Sequence, residues 1–293
     1  MHDNNTTGQR RTLYVTDMDG TLLDLYSRVS PESASIIHRL SREGALITVA
    51  TARTPATVVP LMRDCHTSVP YVTMTGAALW NPVEEKYGEI ALMPDDTAAR
   101  VREVIESFGL HPFIYTITPD NRLLAAYHNG PMNRAERKFV EERTGLALKR
   151  FHLDNPGGMA PFLPRTILYF AIGDAEATSA AAEALTRMGR CAVSSYMDNT
   201  VPGMGILEVF ASGIDKGAVV KRLASRLGAD RIVAFGDNLN DLPLFAVADI
   251  PVAVENALPE VKAAAEVVIG TNDTDAVARF IESDFMTDCY AKN

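Results

Sequence analysis

The chain is 293 residues long, 47% apolar and 22% charged, with a formal net charge of −9. That balance belongs to a folded globular protein with room for two domains. An acidic surplus without any run of Lys or Arg excludes a nucleic-acid backbone or an anionic membrane surface as the expected partner. If the substrate is a small anion, its charge must be met locally, by a metal ion or a few placed cations. The three cysteines, Cys65, Cys191 and Cys289, lack CxxC spacing and read as ordinary thiols. The polar opening stretch from Met1 to Arg11 has no apolar core of a signal peptide, and no window reaches the roughly 18 to 20 apolar residues of a spanning helix. The expectation is a reducing cytoplasm, with the first ten residues disordered.

From Thr12 onward, short β-branched runs alternate with helical patterns, as in βαβ units around a parallel sheet. TLYVTDM (12–18) reads as a strand, followed by a helix capped by Ser30 and Pro31, carrying Ile36, Ile37 and Leu40 and stopped by Gly44. LITVAT (46–51) is a second buried strand, Pro55 opens another helix, and YVTMTG (71–76) is a third strand. From about Trp80 to Met204 the texture changes to strand pairs and amphipathic helices. FIYTIT (113–118) and LLAAYH (123–128) predict a hairpin, followed by TILYFAI (166–172), an Ala-rich helix from Glu176 to Met188, and AVSSYM (192–197). After GILEVFAS (205–212) the plain alternation returns, with a helix carrying Val219, Val220, Leu223 and Leu227, then IVAF (232–235), PVAV (251–254) and EVVIG (266–270). The expected fold is α/β: a Rossmann-like doubly wound parallel-sheet core of residues 1–80 plus 205–293, interrupted by an inserted α+β cap of residues 81–204.

Four motifs carry chemistry. Asp17-Met18-Asp19-Gly20-Thr21 follows an apolar strand, and in an open parallel sheet ligands bind outside the carboxyl ends of the strands. Two acids within one turn repel unless a cation lies between them or one stays protonated, which points to a hard metal ion or a general acid; the alternative is a turn of solvated aspartates. Gly236-Asp237-Asn238-Leu239-Asn240-Asp241 again ends an apolar strand and opens a helix, either as a metal site or as an Asx turn with a helix cap. Lys216 follows Asp215 in a first helical turn, where the dipole disfavours a cation; it fits an anion site, or else a solvated surface position. Thr51 closes its strand ahead of Arg53, its hydroxyl placed either to donate to a phosphoryl oxygen or to cap the next helix.

Taken in this order, Asp-x-Asp-Gly-Thr, a strand-tip Thr, Lys, and Gly-Asp-x-x-Asn-Asp resemble the haloacid dehalogenase superfamily of phosphotransferases. The long insert looks like the class-two cap of the Cof-like phosphatases, subfamily IIB. The resemblance covers residues 12–282 and is weaker in the cap. It implies Asp17 as nucleophile and Asp19 as general acid and base. It also implies a Mg²⁺ held by Asp17, the Asp19 backbone carbonyl and Asp237, with Asp241 holding metal-bound water. Gly20, Thr51, Ala52, Lys216 and Asn240 would then face the phosphate. The chain departs from the family pattern at Ala52 of Thr51-Ala52-Arg53, where glycine is usual, and at Thr75 of Thr75-Gly76, where asparagine is usual.

The six histidines show no HxH or HExxH spacing, and no GxSxG, P-loop or GxGxxG opens a competing class. The expected function is Mg²⁺-dependent hydrolysis of a small phosphate monoester, a sugar phosphate or a cofactor phosphate, through an aspartyl phosphate, by a monomer or homodimer. A phosphomutase and a non-catalytic phospho-ligand sensor are the alternatives. A mutase would need a second phosphate site in the cap. There the cations Arg134, Arg137, Lys138, Arg143, Lys149 and Arg150 read as a solvated helix face and its exit.

Overall fold

A computed structural model of the chain describes residues 10–153, 163–198 and 201–290, with side chains described through 287. The expected disorder of the first residues and the Cys289 thiol lie outside that description. Cys65 is buried and Cys191 half-buried, and both are free thiols. No helix among the described residues is long and apolar enough to cross a membrane.

The chain opens with β1 (Thr12–Thr16), buried at every residue, as a central parallel strand must be. Helix α1 (Pro31–Arg42) follows; Ser30 caps it by accepting from the Ser33 amide at 2.9 Å, with Pro31 in the first turn. Next come β2 (Leu46–Val49) and α2 (Pro55–Met62). β3 (Tyr71–Thr73) pairs with the core sheet through one parallel bridge from Val72 to Ala50. It then reverses through Met74, Thr75 and Gly76, all at positive φ, into β4 (Ala78–Asn81) and β5 (Lys86–Ile90). The third strand is therefore the edge of a three-stranded antiparallel sheet, because a tight left-handed turn sends the chain back rather than into a crossover helix.

Helix α3 (Asp95–Ser107) leads to the expected hairpin, β6 (Phe113–Ile117) and β7 (Leu124–His128), paired antiparallel. α4 (Arg134–Arg143) begins with a reciprocal capping box between Asn133 and Glu136, and the Asn133 side chain donates to the Ile172 carbonyl at 2.7 Å. β8 (Lys149–Leu153), β9 (Thr166–Asp174), α5 (Ala175–Met188), β10 (Cys191–Met197) and β11 (Met204–Ala211) complete a six-stranded sheet in the order β10-β11-β9-β6-β7-β8. The two faces of this sheet differ, as period-two alternation requires. Tyr169, Ala171, Leu207 and Val209 pack with Val101, Ile105, Ala181 and Leu185 of α3 and α5. Phe113, Tyr115, Leu168 and Phe170 belong to the other core, with Ala135 and Val140 of α4.

The chain then returns to the parallel sheet through α6 (Lys216–Leu227), β12 (Arg231–Gly236), α7 (Leu242–Phe245), β13 (Ile250–Val254), α8 (Pro259–Ala264), β14 (Val267–Ile269) and α9 (Ala276–Tyr290). The order β14-β13-β12-β1-β2 places β1 beside β12, so Thr16 and Phe235 lie in register and both motif-bearing tips open at the same edge. The expected divisions after residues 80 and 204 fall within β4 and at the start of β11. β11 hydrogen-bonds wholly within the six-stranded sheet.

Candidate active site

Asp17 follows the last residue of β1, and its amide donates to the Phe235 carbonyl at 3.0 Å, which ties the two strand tips together. The turn Met18–Leu22 needs its glycine. Gly20 has φ +76°, and a Cβ there would stand 2.5 Å from an Asp237 carboxylate oxygen, so only glycine lets this loop approach the second motif. Two asparagines clamp the same loop from outside: Asn256 Nδ2 donates to the Gly20 carbonyl and Asn272 Nδ2 to the Leu23 carbonyl, each at 2.7 Å. Neither was expected, because both sit in loops without local acid, base or glycine chemistry.

Asp17, Asp237 and Asp241 each place a carboxylate oxygen within 4.8 Å of the others. Lys216, buried and presented by the first turn of α6, donates to Asp17 Oδ1 at 2.6 Å and to Asp241 Oδ1 at 2.7 Å. The lysine is not a solvated surface residue: desolvation pulls its pKa down, but the two carboxylates overcome that and hold it above the usual range. The other Asp241 oxygen accepts from the Asp237 amide at 3.0 Å and the Asn238 amide at 3.1 Å, so Asp241 is the buried keystone of the second motif. Gly236 permits this, since a Cβ there would meet the Asp241 side chain at 2.6 Å. Asp237 Oδ1 accepts from the Thr21 hydroxyl at 3.0 Å. Burial and the neighbouring Asp241 push the Asp237 pKa up to about 6. Burial, with Asp241 and Asp237, likewise raises Asp17 against the pull of Lys216. Three carboxylates that share one ammonium, with an all-oxygen donor set, suit a hard divalent cation, whose charge would relieve that crowding.

Asp19 points away from this cluster. Both its oxygens accept from Arg53, from Nε at 2.7 Å and Nη2 at 2.6 Å, in a bidentate fork. Arg53 follows Thr51, whose buried hydroxyl accepts from the Arg53 amide at 3.1 Å and so shapes the turn into α2. Arg53 is a site residue that sequence reasoning passed over, although its place in the Thr51-Ala52-Arg53 triplet was the available signal. Asp19, Ala52 and Arg53 line a cavity of about 340 Å³ whose far wall is the six-stranded sheet and α4. Asn240 is exposed on the short turn that precedes Asp241.

The family description of haloacid dehalogenase-like hydrolases matches residues 14–281. Two curated relatives align along almost their whole length. A 5-amino-6-(5-phospho-D-ribitylamino)uracil phosphatase, YitU of Bacillus subtilis (strain 168), is 24% identical over 276 residues, 93% of this chain and 97% of that protein. A pyridoxal phosphate phosphatase, YbhA of Escherichia coli (strain K12), is 23% identical over 273 residues, covering 91% and 96%. Among solved structures, a haloacid dehalogenase-like hydrolase from Bacteroides thetaiotaomicron superposes with a TM-score of 0.74 at 23% identity, over 94% of this chain and all of that one. The subclass IIB sugar phosphatase BT4131 does so at 0.70 and 19% identity, over 93% and 98%. With its motif-bearing strand tips side by side and the match running almost from end to end, the chain belongs to the haloacid dehalogenase-like hydrolases, among their phosphatases.

Proposed function

We propose that the chain hydrolyses a small phosphate monoester with Mg²⁺ as cofactor, through an aspartyl phosphate on Asp17. The observation that carries this reading is the Asp17–Asp237–Asp241 cluster, in which Lys216 bridges Asp17 and Asp241, with Asp19 two residues beyond Asp17 at the mouth of a cavity. Asp17, Asp237 and the Asp19 backbone carbonyl would hold the metal, with Asp241 on its water shell. When bound, the ion would offset charge on the phosphoryl oxygens.

Lys216 engages Asp17 Oδ1, which leaves the other carboxylate oxygen to attack phosphorus. The new O–P bond forms as the ester O–P bond breaks, and the departing alkoxide takes a proton from Asp19. Asp19 then accepts a proton from the water that attacks the acyl phosphate, which returns the Asp17 carboxylate and free phosphate. Because both Asp19 oxygens accept from Arg53 in this state, proton delivery requires the Arg53 fork to open. An incoming phosphate is an anion suited to draw that guanidinium away. Thr51, Gly20, Ala52 and Asn240 are proposed on the phosphate side. The unit built on the six-stranded sheet is proposed as the cap, with the chain re-entering the core after β11, so that leaving-group contacts come from that sheet. The substrate class follows the relatives, which act on phosphorylated cofactors and their precursors.

The test is phosphate release from an aryl phosphate with Mg²⁺. Asp17→Asn should reduce it to background and abolish acid-stable label on the protein. Full activity in that variant would overturn the reading. Release without an activating bisphosphate separates hydrolysis from mutase chemistry, and silence across a broad ester panel would favour a sensor.

A further inference from the structure

Across the cavity from Asp19 stands a second buried lysine. Lys149 opens β8 and is 5% exposed, although its neighbours Arg134, Arg137, Lys138 and Arg150 are exposed; the cluster is not uniformly a solvated face. The alternation Lys149, Phe151, Leu153 turns it inward, and its ammonium donates to the Tyr115 hydroxyl at 2.6 Å. The ammonium lies 4.4 Å from the Tyr115 ring centroid, 4.8 Å from that of Phe139 and 4.7 Å from that of Phe151. Ring faces and one phenol soften a buried cation but do not neutralise it.

Four acids line this cavity, and none of them pairs with Lys149. Asp19 pairs with Arg53, Glu142 pairs with Arg143 and Lys138, Asp198 accepts from the Val201 amide at 3.3 Å, and the fourth acid of the lining, buried Glu208 on β11, forms no ion pair with Lys149. Among the described residues no carboxylate comes within 4 Å of the Lys149 ammonium. The Arg143 guanidinium lies 4.2 Å from the centroid of the same Phe139 ring, so two cations flank one ring beside an open volume. Desolvation first, and then Arg143, press the Lys149 pKa down to about 7. A fold rarely leaves a buried ammonium beside a second cation without a counter-charge, and a cavity that also reaches the general acid can admit one.

Resting on the phosphatase reading above, we infer that Lys149, with Tyr115 and Arg143, is the recognition site for a negatively charged group on the leaving portion of the substrate. The preferred esters then carry a second anion, a carboxylate or a second phosphate, at the end remote from the scissile bond. Lys149 is a specificity-determining residue, and the cap side of the cavity selects by charge.

The experiment compares kcat/KM for phenyl phosphate, carboxyphenyl phosphate and hydroquinone bisphosphate, with wild type and Lys149→Met. The wild type should prefer at least one anionic ester by roughly tenfold or more, and which of the two tells carboxylate from phosphate. Lys149→Met should collapse that ratio toward one. Equal turnover of all three esters by the wild type, or a preference that survives Lys149→Met, overturns the inference. Calorimetry with hydroxybenzoate against phenol needs neither turnover nor a variant. Tighter binding of hydroxybenzoate by wild type supports the anion site, and indifference between the two overturns it. A protein that discriminates in calorimetry yet hydrolyses no ester would sink the phosphatase reading alone.

Discussion

Two lysines buried in one molecule, Lys216 in the crevice at the strand tips and Lys149 in the wall across the cavity, have opposite surroundings. Lys216 sits between the Asp17 and Asp241 carboxylates, and its charge completes a cluster that the fold itself provides. Lys149 sits among aromatic faces beside Arg143, and among the described residues no carboxylate pairs with it. Burial alone therefore says little about what a cation does. A lysine whose counter-ions come from the protein holds the protein's own groups in place, whereas a lysine without them stands ready for a ligand.

The sharpest way to break this comparison is to remove each ammonium in turn. Lys216→Met leaves two buried carboxylates facing each other without a cation. In urea denaturation with a chelator present, the loss should be about 3–5 kcal/mol, the usual cost of stripping one partner from a buried pair. A loss below about 1 kcal/mol would show that the cluster is held by its backbone donors instead.

The carboxylate cluster was legible in the sequence for a physical reason that did not extend to the cavity wall. Asp17 and Asp237 stand directly at the tips of wholly buried strands, and a parallel sheet delivers consecutive tips to one edge, so motif and position reinforce each other. Lys149 stands in a basic stretch whose composition mimics an exposed helix. Its direction follows only from reading KRFHL as an edge strand with Phe151 and Leu153 inward. The β3 reversal depends on three successive positive φ values, two of them at Met74 and Thr75, residues that do not announce a left-handed turn. The clamps from Asn256 and Asn272 depend on loop geometry that no local pattern encodes.

A second way to sharpen the comparison uses the acid on Lys149's side of the molecule. Glu208 of β11 is buried on the face it shares with Ile206 and Phe210, and desolvation pushes its pKa up to about 7. Its folded pKa lies above its unfolded value, so the folded state binds the extra proton. Stability should then fall as pH rises from about 4.5 to about 7, by roughly 3 kcal/mol in all. Glu208→Gln should flatten that decline in urea midpoints measured across the range. An unchanged slope would assign the decline to other groups.

Lys149→Met should not cost stability where Lys216→Met does. Methionine fills a similar volume against Tyr115, Phe139 and Phe151, and the desolvated charge disappears. At pH 6 any loss should stay under about 1 kcal/mol, and a gain of up to a few kcal/mol is expected because the desolvation cost of the ammonium is removed. Lys149 has a folded pKa below its unfolded one, so its cost is fully present below about pH 7 and is relieved as pH rises from there toward the unfolded value. The wild type should gain stability relative to Lys149→Met along that alkaline limb. A loss of several kcal/mol at pH 6 would mean that the lysine is a structural staple.

The smallest effect is expected at the Arg53–Asp19 fork. Its geometry is as good as that of the Lys216 pairs, but the Asp19 side chain is 55% exposed, and water competes for both partners. Arg53→Ala should change stability by less than about 1 kcal/mol, as for other exposed ion pairs, and the difference should shrink further in high salt. Distance alone would place the fork beside the buried pairs, so this variant, measured together with Lys216→Met, separates geometry from burial as the source of strength. If Arg53→Ala cost as much as Lys216→Met, the fork would be part of the scaffold, and the proposal that it opens for the incoming phosphate would lose its physical basis.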